Sequence, residues 1–204
     1  MVAQQERAAA RHSRILDAAL KIFSRRGYRD ASVDDIASAS ATSKGGIYFH
    51  FPNKEAIFLK LLDRTADRLH QKVEEAMAAE SEPIAKAEAA LQALLVAFSK
   101  HHELARLFLL ESQGAGRHFD QHLTAVHGEF TKLIQENLDR AIASGLIDPL
   151  DTDVASRAWY GALKEVITGW LLSERSDGLE EAYAALSPML VRSVGLRDRR
   201  QGQR

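Results

Sequence analysis

Residues 32–55 read SVDDIASASATSKGGIYFHFPNKE, a stretch that predicts two short helices joined by a tight turn. Ser32 and Asp35 have the spacing of a capping box. In this motif the serine hydroxyl accepts a free N–H of the first turn, and the carboxylate reaches back to the N–H of the cap residue. We therefore expect a helix to begin near Val33.

The second helix of this stretch is expected over residues 44–50. Ser43 is its candidate N-cap, and Pro52 makes it difficult for the helix to continue, because proline lacks an N–H and clashes with the preceding turn. Asn53 can cap a third helix. Two helices of about two turns, joined by about four residues, match the helix-turn-helix plan, in which the second helix enters the DNA major groove.

The residue types in the second helix suit contact with DNA. Lys44 supplies charge, while Gly45 and Gly46 remove side-chain bulk, so that the backbone can come close to the base edges. Glycine costs about 1 kcal/mol relative to alanine inside a helix, so a tandem pair indicates a steric need. The polar residues nearby are expected to position phosphates. The candidate DNA-binding residues are Ser32, Thr42, Ser43, Lys44, Gly45, Gly46, Tyr48, His50 and Lys54.

Spacing alone also allows a solvated helical hairpin, in which Tyr48, Phe49 and Phe51 are core residues.

The charge distribution favours DNA binding. Residues 1–54 hold nine lysine and arginine residues against five acidic ones, whereas the remaining chain holds 18 against 23. A basic N-terminal segment on an acidic body suits a protein that touches phosphates with one end only. Arg7 and Arg11 are expected either in an arm that reaches phosphates or in a frayed tail.

Composition narrows the remaining possibilities. The chain has no cysteine, 46% hydrophobic and 27% charged residues, and no apolar run approaching the roughly 20 residues that span a bilayer. We therefore expect a cytoplasmic protein without membrane contact. The chain also lacks Gly-x-Ser-x-Gly, Walker A and His-Glu-x-x-His motifs. Neither an enzyme nor a cofactor is predicted, and a helical enzyme is a distant alternative. His118 and His122 lie at i and i+4, a spacing that leaves a metal-responsive protein as another alternative.

The N-terminal quarter resembles the DNA-binding domain of the TetR family of transcriptional regulators. The resemblance rests on the run from Thr42 to Phe58, preceded by Ile15 to Ala19 and Phe23 to Tyr28. One departure lies in the turn, where the family usually has glycine and this chain has Ser-Ala-Thr at residues 40–42. If Ala41 adopts a left-handed conformation, the strain is about 1 to 2 kcal/mol.

Helical periodicity continues through the rest of the chain and predicts an all-α fold of about nine helices. A three-helix DNA-binding domain over residues 1–53 precedes a larger effector-binding and dimerisation domain over residues 54–204. An apolar stripe predicts a long helix from Asn53 to about Ala79, a natural lever for a switch. Pro83 suits the first turn of the next helix.

The C-terminal half supplies the candidate effector and dimer residues. A helix over residues 152–173, capped by Asp151, has an apolar face beside a face of small residues, and a last helix follows it, which Pro188 should kink or restart. In the TetR family the last two helices build the dimer. The candidate dimer residues are Ala158, Gly161, Ala162, Glu165, Gly169, Tyr183, Leu186 and Leu190. The candidate effector-lining residues are Phe98, Leu107, Phe108, Leu110, Phe130, Trp159, Tyr160, Leu163 and Trp170.

These patterns predict a homodimeric, ligand-responsive transcriptional regulator. Its partners are expected to be double-stranded DNA, a second copy of itself and a small apolar effector. The simplest form is a repressor that a lipophilic effector releases from a near-palindromic operator. The segment from Gly161 to Trp170 is similar to fatty-acyl-CoA-responsive members of the family, which makes an acyl-CoA-like effector one expectation. An effector-independent DNA-binding protein remains a further alternative.

Overall fold

The structure is a computed structural model that describes residues 2–111, 117–173 and 179–195. Within these ranges the chain forms nine α-helices and no strand, which confirms the all-α prediction. A π-helical turn, Leu107–Glu111, follows the sixth helix directly. The helices are α1 (Val2–Asp30), α2 (Val33–Ala39), α3 (Lys44–His50), α4 (Lys54–Ala78), α5 (Pro83–Lys100), α6 (His102–Arg106), α7 (Arg117–Ala143), α8 (Thr152–Leu172) and α9 (Leu179–Ser193).

Helix α1 differs from its prediction at its start. It begins at Val2, so Arg7 and Arg11 are exposed residues of the helix and not part of an arm or a frayed tail. A break lies near its end, where Gly27 has φ +75° and ψ 165°, values outside the helical region. Only glycine adopts such a positive φ without strain.

The chain divides into two compact units. The first contains Met1–Asp67 and His101–Thr124, and the second contains Arg68–Lys100 and Ala125–Arg204. In the first unit α1 packs on α2 and α2 on α3. The core of this unit contains fully or almost fully buried side chains from α1 to α4: Phe23, Ile36, Ile47, Phe51 and Phe58. The compact units describe packing, so a functional boundary between residues 53 and 54 stays a prediction.

In the second unit α9 packs against both α5 and α8. The inner face of α8 repeats every three to four residues, as an amphipathic helix requires. Its buried residues are Ser156, Trp159, Leu163, Ile167 and Leu171. The cap predicted for α8 is present, since the Asp151 side chain accepts the Val154 N–H at 3.0 Å.

Pro188 lies inside α9, which runs from Leu179 to Ser193 as one helix. The predicted restart is therefore wrong. Proline removes one helical hydrogen bond, to the carbonyl of Ala184 four residues earlier. Both residues are exposed, so water can satisfy that carbonyl in place of the lost N–H. In the described part of the chain, no helix is both apolar and long enough to cross a membrane.

Candidate nucleic-acid interface and ligand cavity

The predicted capping box holds the start of α2. The Ser32 hydroxyl oxygen accepts the Asp35 N–H at 3.1 Å, and Asp35 Oδ2 accepts the Ser32 N–H at 3.1 Å. Arg26 Nη1 lies 2.9 Å from Asp35 Oδ1. The hydrogen bonds from Ser32, and then the Arg26 charge, hold the pKa of Asp35 below its usual value. Ser32 thus has a structural role, and its contact with a phosphate stays a prediction.

The turn between α2 and α3 forms although it lacks glycine. Ala41 has φ +49° and is the one described non-glycine residue with a positive φ. The Thr42 N–H donates to the Ala37 carbonyl at 3.0 Å across the turn. The left-handed conformation considered for Ala41 is therefore confirmed, and alanine carries the strain that glycine would avoid.

The two glycines of α3 have different surroundings. A Cβ atom built on Gly46 would lie 3.0 Å from Thr42 Cγ2 and 3.1 Å from Ser43 Oγ, so a larger residue there would require these side chains to shift by a few tenths of an ångström. The Gly46 N–H also donates to Ser43 Oγ at 3.1 Å, which caps the helix. A Cβ on Gly45 would meet nothing within 4 Å. The steric need at Gly46 is internal, whereas at Gly45 the backbone is open to a partner.

Two aromatic side chains extend from the outer face of α3. Tyr48 is 46% exposed and Phe49 is 84% exposed, while Ile47 is fully buried. The hairpin interpretation, in which Tyr48 and Phe49 belong to the core, is therefore wrong for these two residues. Phe49 is absent from the predicted DNA-binding set, because an apolar residue two positions from the apolar residues Ile47 and Phe51, both buried, gives no sequence signal of exposure. Its exposure makes it a further candidate for DNA contact.

Lys44, the predicted base contact, is held at the surface by an acid of α2. Its Nζ lies 2.8 Å from Asp34 Oδ2, with both side chains more than half exposed. The hydrogen bond and the charge of Asp34 raise the pKa of Lys44. An exposed ion pair of this kind is weak and exchanges readily with other anions. Lys44 can therefore turn from Asp34 to DNA.

Lys54 differs most from its prediction as a phosphate contact. Its Nζ donates to the carbonyls of Tyr28, Arg29 and Ala31 at 2.8, 3.1 and 2.9 Å. It also lies 4.6 Å from the centre of the Tyr28 ring. An ammonium group has three donors, and all three are used. Lys54 therefore fastens the start of α4 to the end of α1, and a phosphate contact would have to displace one of these carbonyls.

His50 also points partly inward. Its Nε2 is buried and has no hydrogen-bond partner among the described residues. His12 lies beside it, with ring centroids 6.2 Å apart, and stacks on Phe51 at 4.7 Å. Burial, followed by the charges of His50, Lys60 and Arg64, lowers the pKa of His12. The remaining predicted contacts, Thr42 and Tyr48, lie at the turn and on the outer face of α3.

The second unit contains an apolar cavity of about 710 Å³, part of which is open to solvent. Helices α4, α5, α7, α8 and α9 contribute its wall. The lining residues are Val73, Met77, Ala87, Glu88, Ala90, Leu91, Leu94, Phe130, Leu133, Ile134, Asn137, Trp159, Tyr160, Leu163, Ser187, Leu190 and Val191.

Four of the nine candidate effector residues line this cavity, namely Phe130, Trp159, Tyr160 and Leu163. Phe98 and Trp170 belong to the same unit but not to the wall. Leu107 and Leu110 belong to the first unit, and the side chain of Phe108 lies outside the described residues. Apolar periodicity marks a buried face, but it does not distinguish a cavity wall from solid core. For this reason the sequence missed the contribution of α4, α5 and α9.

Several polar groups interrupt the apolar wall. Asn137 Nδ2 donates to the Pro83 carbonyl at 2.8 Å, and Ser187 Oγ donates to Glu88 Oε1 at 3.0 Å. Tyr160 shares a hydrogen bond with Nδ1 of His127. Burial, and then the charge of Lys164, lowers the pKa of His127 to about 4. Burial also raises the pKa of the Tyr160 hydroxyl. Both groups are therefore neutral at pH 7.

Helix α8 exposes small and apolar residues, with one glutamate among them, on the side opposite its buried face. We call this set the α8 stripe. Its residues recur every three to four positions, and Val154 and Leu172 are 59% and 68% exposed. The members are Val154, Ala158, Gly161, Glu165, Gly169 and Leu172, all exposed.

The other predicted dimer residues are less accessible. Leu186 and Leu190 are 5% and 7% exposed, so both face the interior of their own protomer, and Leu190 lines the cavity. Their assignment to the dimer surface is not supported. Ala162 and Tyr183 are half-buried. On α9 the exposed large apolar residue is Met189, at 49%.

The histidines considered as metal ligands have other surroundings. His122 Nε2 lies 2.7 Å from Asp63 Oδ1, and the side chain of His118 lies outside the described residues. Among the residues that the structure describes, no group of three or more histidines and acids is arranged to hold a metal ion.

Comparison with known proteins identifies relatives over both parts of the chain. Residues 15–61 match the family model of bacterial regulatory proteins of the tetR family, and residues 62–192 match that of the C-terminal region of YsiA-like proteins. The fatty acid metabolism regulator protein of Bacillus subtilis (strain 168) is 24% identical over 192 residues, which are 90% of this chain and 95% of that protein.

Solved structures share the fold. The fatty acid degradation regulator FadR from Bacillus halodurans has a TM-score of 0.83 and 25% identity, with 88% of this chain and 97% of that chain covered. FadR from Bacillus subtilis, solved in complex with stearoyl-CoA, has a TM-score of 0.83 and 23% identity over the same shares of both chains.

Proposed function

The chain belongs to the TetR family of transcriptional regulators, and on this basis we propose that it is a homodimeric repressor that leaves its operator when a long-chain acyl thioester binds. The observation that carries the proposal is the presence, in one chain, of an exposed recognition helix and a separate apolar cavity. A protein that only bound DNA would have no need for such a cavity.

Helix α3 is the element that we propose enters the major groove. Gly45 leaves the backbone open, Lys44 brings a positive charge, and Tyr48 and Phe49 present aromatic surface that can pack against sugars and thymine methyl groups. Thr42 and Ser43 lie at the N-terminus of α3, where free N–H groups favour a phosphate. Ser32 and His50 remain candidate phosphate contacts.

We propose that two protomers associate through the α8 stripe. Small residues at Ala158, Gly161 and Gly169 let a second helix approach closely, and Val154 and Leu172 supply apolar area that is exposed in a single protomer. A two-fold dimer presents two α3 helices to two half-sites one helical turn, about 34 to 36 Å, or a multiple of it apart. The operator is then near-palindromic.

The cavity accounts for ligand response. Its wall is apolar apart from a few hydrogen-bonded groups, so it favours a lipophilic body, and each buried CH₂ group contributes about 0.8 kcal/mol. An acyl thioester agrees with the relatives, which include a fatty acid metabolism regulator and a FadR solved with stearoyl-CoA. Transcriptional regulators act on chromosomal DNA, and this agrees with a cytoplasmic location.

Helix α4 offers a route from the cavity to α3. Val73 and Met77, near its C-terminal end, line the cavity, while its N-terminal residue Lys54 follows α3 after three residues. A ligand that displaces Val73 and Met77 can move a rigid helix. To release DNA it must bind the DNA-incompetent state more tightly, by about 1.4 kcal/mol for each tenfold loss of operator affinity.

The test begins with genomic DNA fragments that the purified full-length protein selects. Fluorescence anisotropy then measures binding of a selected fragment while stearoyl-CoA is added, with free coenzyme A and sodium stearate as controls. We expect stearoyl-CoA alone to lower the affinity at least tenfold. Specific DNA binding that no acyl-CoA of any chain length changes would reject the ligand-responsive function and favour an effector-independent regulator.

A further inference from the structure

The hydrogen-bonding groups of the cavity wall include one buried acceptor without a matching donor. Asn137 is 6% exposed, and its Oδ1 is buried with no hydrogen-bond partner among the described residues. The orientation of its amide is determined, because the neighbouring Pro83 carbonyl can only accept and therefore must face Nδ2. The oxygen is thus the end of the amide left without a partner. A buried acceptor in this state lowers stability until a donor reaches it.

Three donors on the same wall are already used inside the protein, while the Asn137 amide keeps a second N–H. Ser187 Oγ–H donates to Glu88, Asn137 Nδ2 donates to Pro83, and Trp159 Nε1–H donates to Ser193 Oγ at 3.1 Å. The residues that line the cavity in the described part of the chain include no lysine, arginine or histidine. A ligand carboxylate or phosphate would therefore meet carboxyl and amide oxygens with no cation to balance its charge. Such an anion is excluded from the cavity itself.

Three groups therefore form what we call the acceptor wall: Glu88 of α5, Asn137 of α7 and Ser187 of α9. Asn137 is anchored at Pro83, five residues before Glu88, which corresponds to about 7.5 Å along the axis of α5. One small molecule can reach both positions while the rest of its body lies against leucine, valine and phenylalanine side chains. The polar surface of the cavity thus accepts hydrogen bonds along one side.

We propose that the effector is a lipophilic molecule that carries an uncharged hydrogen-bond donor, a hydroxyl or an amide N–H, and that this donor binds the acceptor wall through Asn137 Oδ1. This inference rests on the proposed function only in taking the cavity as the effector site. It adds a rule of selectivity: among molecules with the same apolar body, the one that carries a neutral donor for Asn137 Oδ1 is preferred.

The test compares ligand pairs that differ in the donor and not in the apolar body. Isothermal titration of the full-length dimer with 1-decanol and with decyl methyl ether tests the hydroxyl. Decanamide and N,N-dimethyldecanamide test the amide N–H, and stearoyl-CoA tests the proposed function separately. We expect the donor member of at least one pair to bind about five- to tenfold more tightly, the usual net effect of one hydrogen bond.

Two variants locate the effect. Asn137→Leu removes the acceptor at similar volume. We expect this variant to bind 1-decanol and decyl methyl ether with about equal affinity, and to bind the ether no more weakly than the wild type does. Glu88→Gln keeps an oxygen for Ser187 and adds an N–H₂ donor, so we expect the ether to bind about two- to tenfold more tightly. Ser144→Ala, an exposed serine after α7, serves as the control. If Asn137→Leu does not fold, the ligand pairs on the wild type and the affinity of Glu88→Gln for the ether still test the inference.

The outcomes separate the two proposals. Equal affinities within both pairs, or a donor preference that both variants leave unchanged, overturn the inference even if stearoyl-CoA binds and releases DNA. A donor preference that Asn137→Leu abolishes supports the inference even if stearoyl-CoA fails, in which case the acyl thioester is the part of the proposed function that is wrong.

Discussion

Single backbone and side-chain positions decide how the DNA-binding unit is held together. Ala41 adopts a left-handed conformation that alanine disfavours, and Lys54 uses its ammonium group to hold three carbonyls of the preceding segment. Neither property follows from the residue type. Both have consequences that can be measured by substitution.

Ala41→Gly should stabilise the protein. Relief of the strain at φ +49° should raise the free energy of unfolding by about 1 to 2 kcal/mol. The greater conformational freedom of glycine in the unfolded chain offsets part of this gain. We expect a gain of about 0.5 to 1 kcal/mol in the free energy of unfolding, measured by urea denaturation. Ala10→Gly, in the exposed middle of α1, should instead lose about 1 kcal/mol. A loss at both positions would contradict the assignment of strain to Ala41.

Lys54→Met should destabilise the protein by about 1 to 3 kcal/mol, because hydrogen bonds from a charged donor to three carbonyls disappear. Lys44→Met is the matched control, since its ammonium contacts only an exposed acid. Thermal denaturation checks stability, and DNA affinity at several salt concentrations checks phosphate contact. Lys44→Met should reduce the salt slope, whereas a folded Lys54→Met should not. A reduced slope for Lys54→Met at unchanged stability would restore Lys54 as a phosphate contact.

At the scale of elements, α8 has two faces with different roles. Its buried face builds the wall of the cavity, and its outer face presents the α8 stripe to solvent. A helix that leaves leucine and valine exposed beside glycine has a surface suited to a partner helix. If two protomers associate through this stripe, as we propose, substitutions in it should change dimerisation without altering the protomer.

Gly161→Arg should convert the dimer to a monomer. A Cβ at Gly161 meets nothing within 4 Å, so the protomer has room for a side chain. Replacing an exposed helical glycine also favours the helix, by up to about 1 kcal/mol. Sedimentation analysis should show a dimer dissociation constant at least tenfold higher than that of the wild type. Gly128→Arg, on α7 with equally open surroundings, is the control and should remain a dimer. Unchanged association of Gly161→Arg would place the interface elsewhere.

At the scale of the whole molecule, buried histidine makes stability depend on pH. Burial lowers the pKa of His127 to about 4, from 6.5 in the unfolded chain. Between these values the unfolded state binds more protons than the folded state, so stability must fall as pH decreases from about 6.5 to about 4. His12, whose pKa burial also lowers, acts in the same direction.

His127→Gln should reduce this dependence, because glutamine does not titrate and can still accept a hydrogen bond from Tyr160. The free energy of unfolding at pH 7 and pH 5 is the measurement. Wild type should lose more between these pH values than the variant, which keeps the contribution of His12. His122→Gln is the control at a half-exposed histidine. Equal losses in wild type and His127→Gln would show that His127 titrates normally.

The sequence by itself determined the all-α class, the helix-turn-helix and most helix ends. These features depend on residues within one or two turns of each other. Ser32 with Asp35, Asn53 and Asp151 each cap a helix within three residues, and Pro83 begins α5 as predicted. The restart at Pro188 and the start of α1 were predicted wrongly, because a local signal does not show whether water or packing compensates for it.

Only the tertiary structure decided which residues line the cavity, what Lys54 holds and which aromatic side chain of α3 is exposed. These depend on contacts between distant parts of the chain: Lys54 reaches back 23 to 26 residues, Asn137 bonds a residue 54 positions away, and Ser187 bonds one 99 positions away. Periodicity shows that a helix has a buried face. What that face meets, whether another helix or an open cavity, depends on the packing of all five helices that surround it.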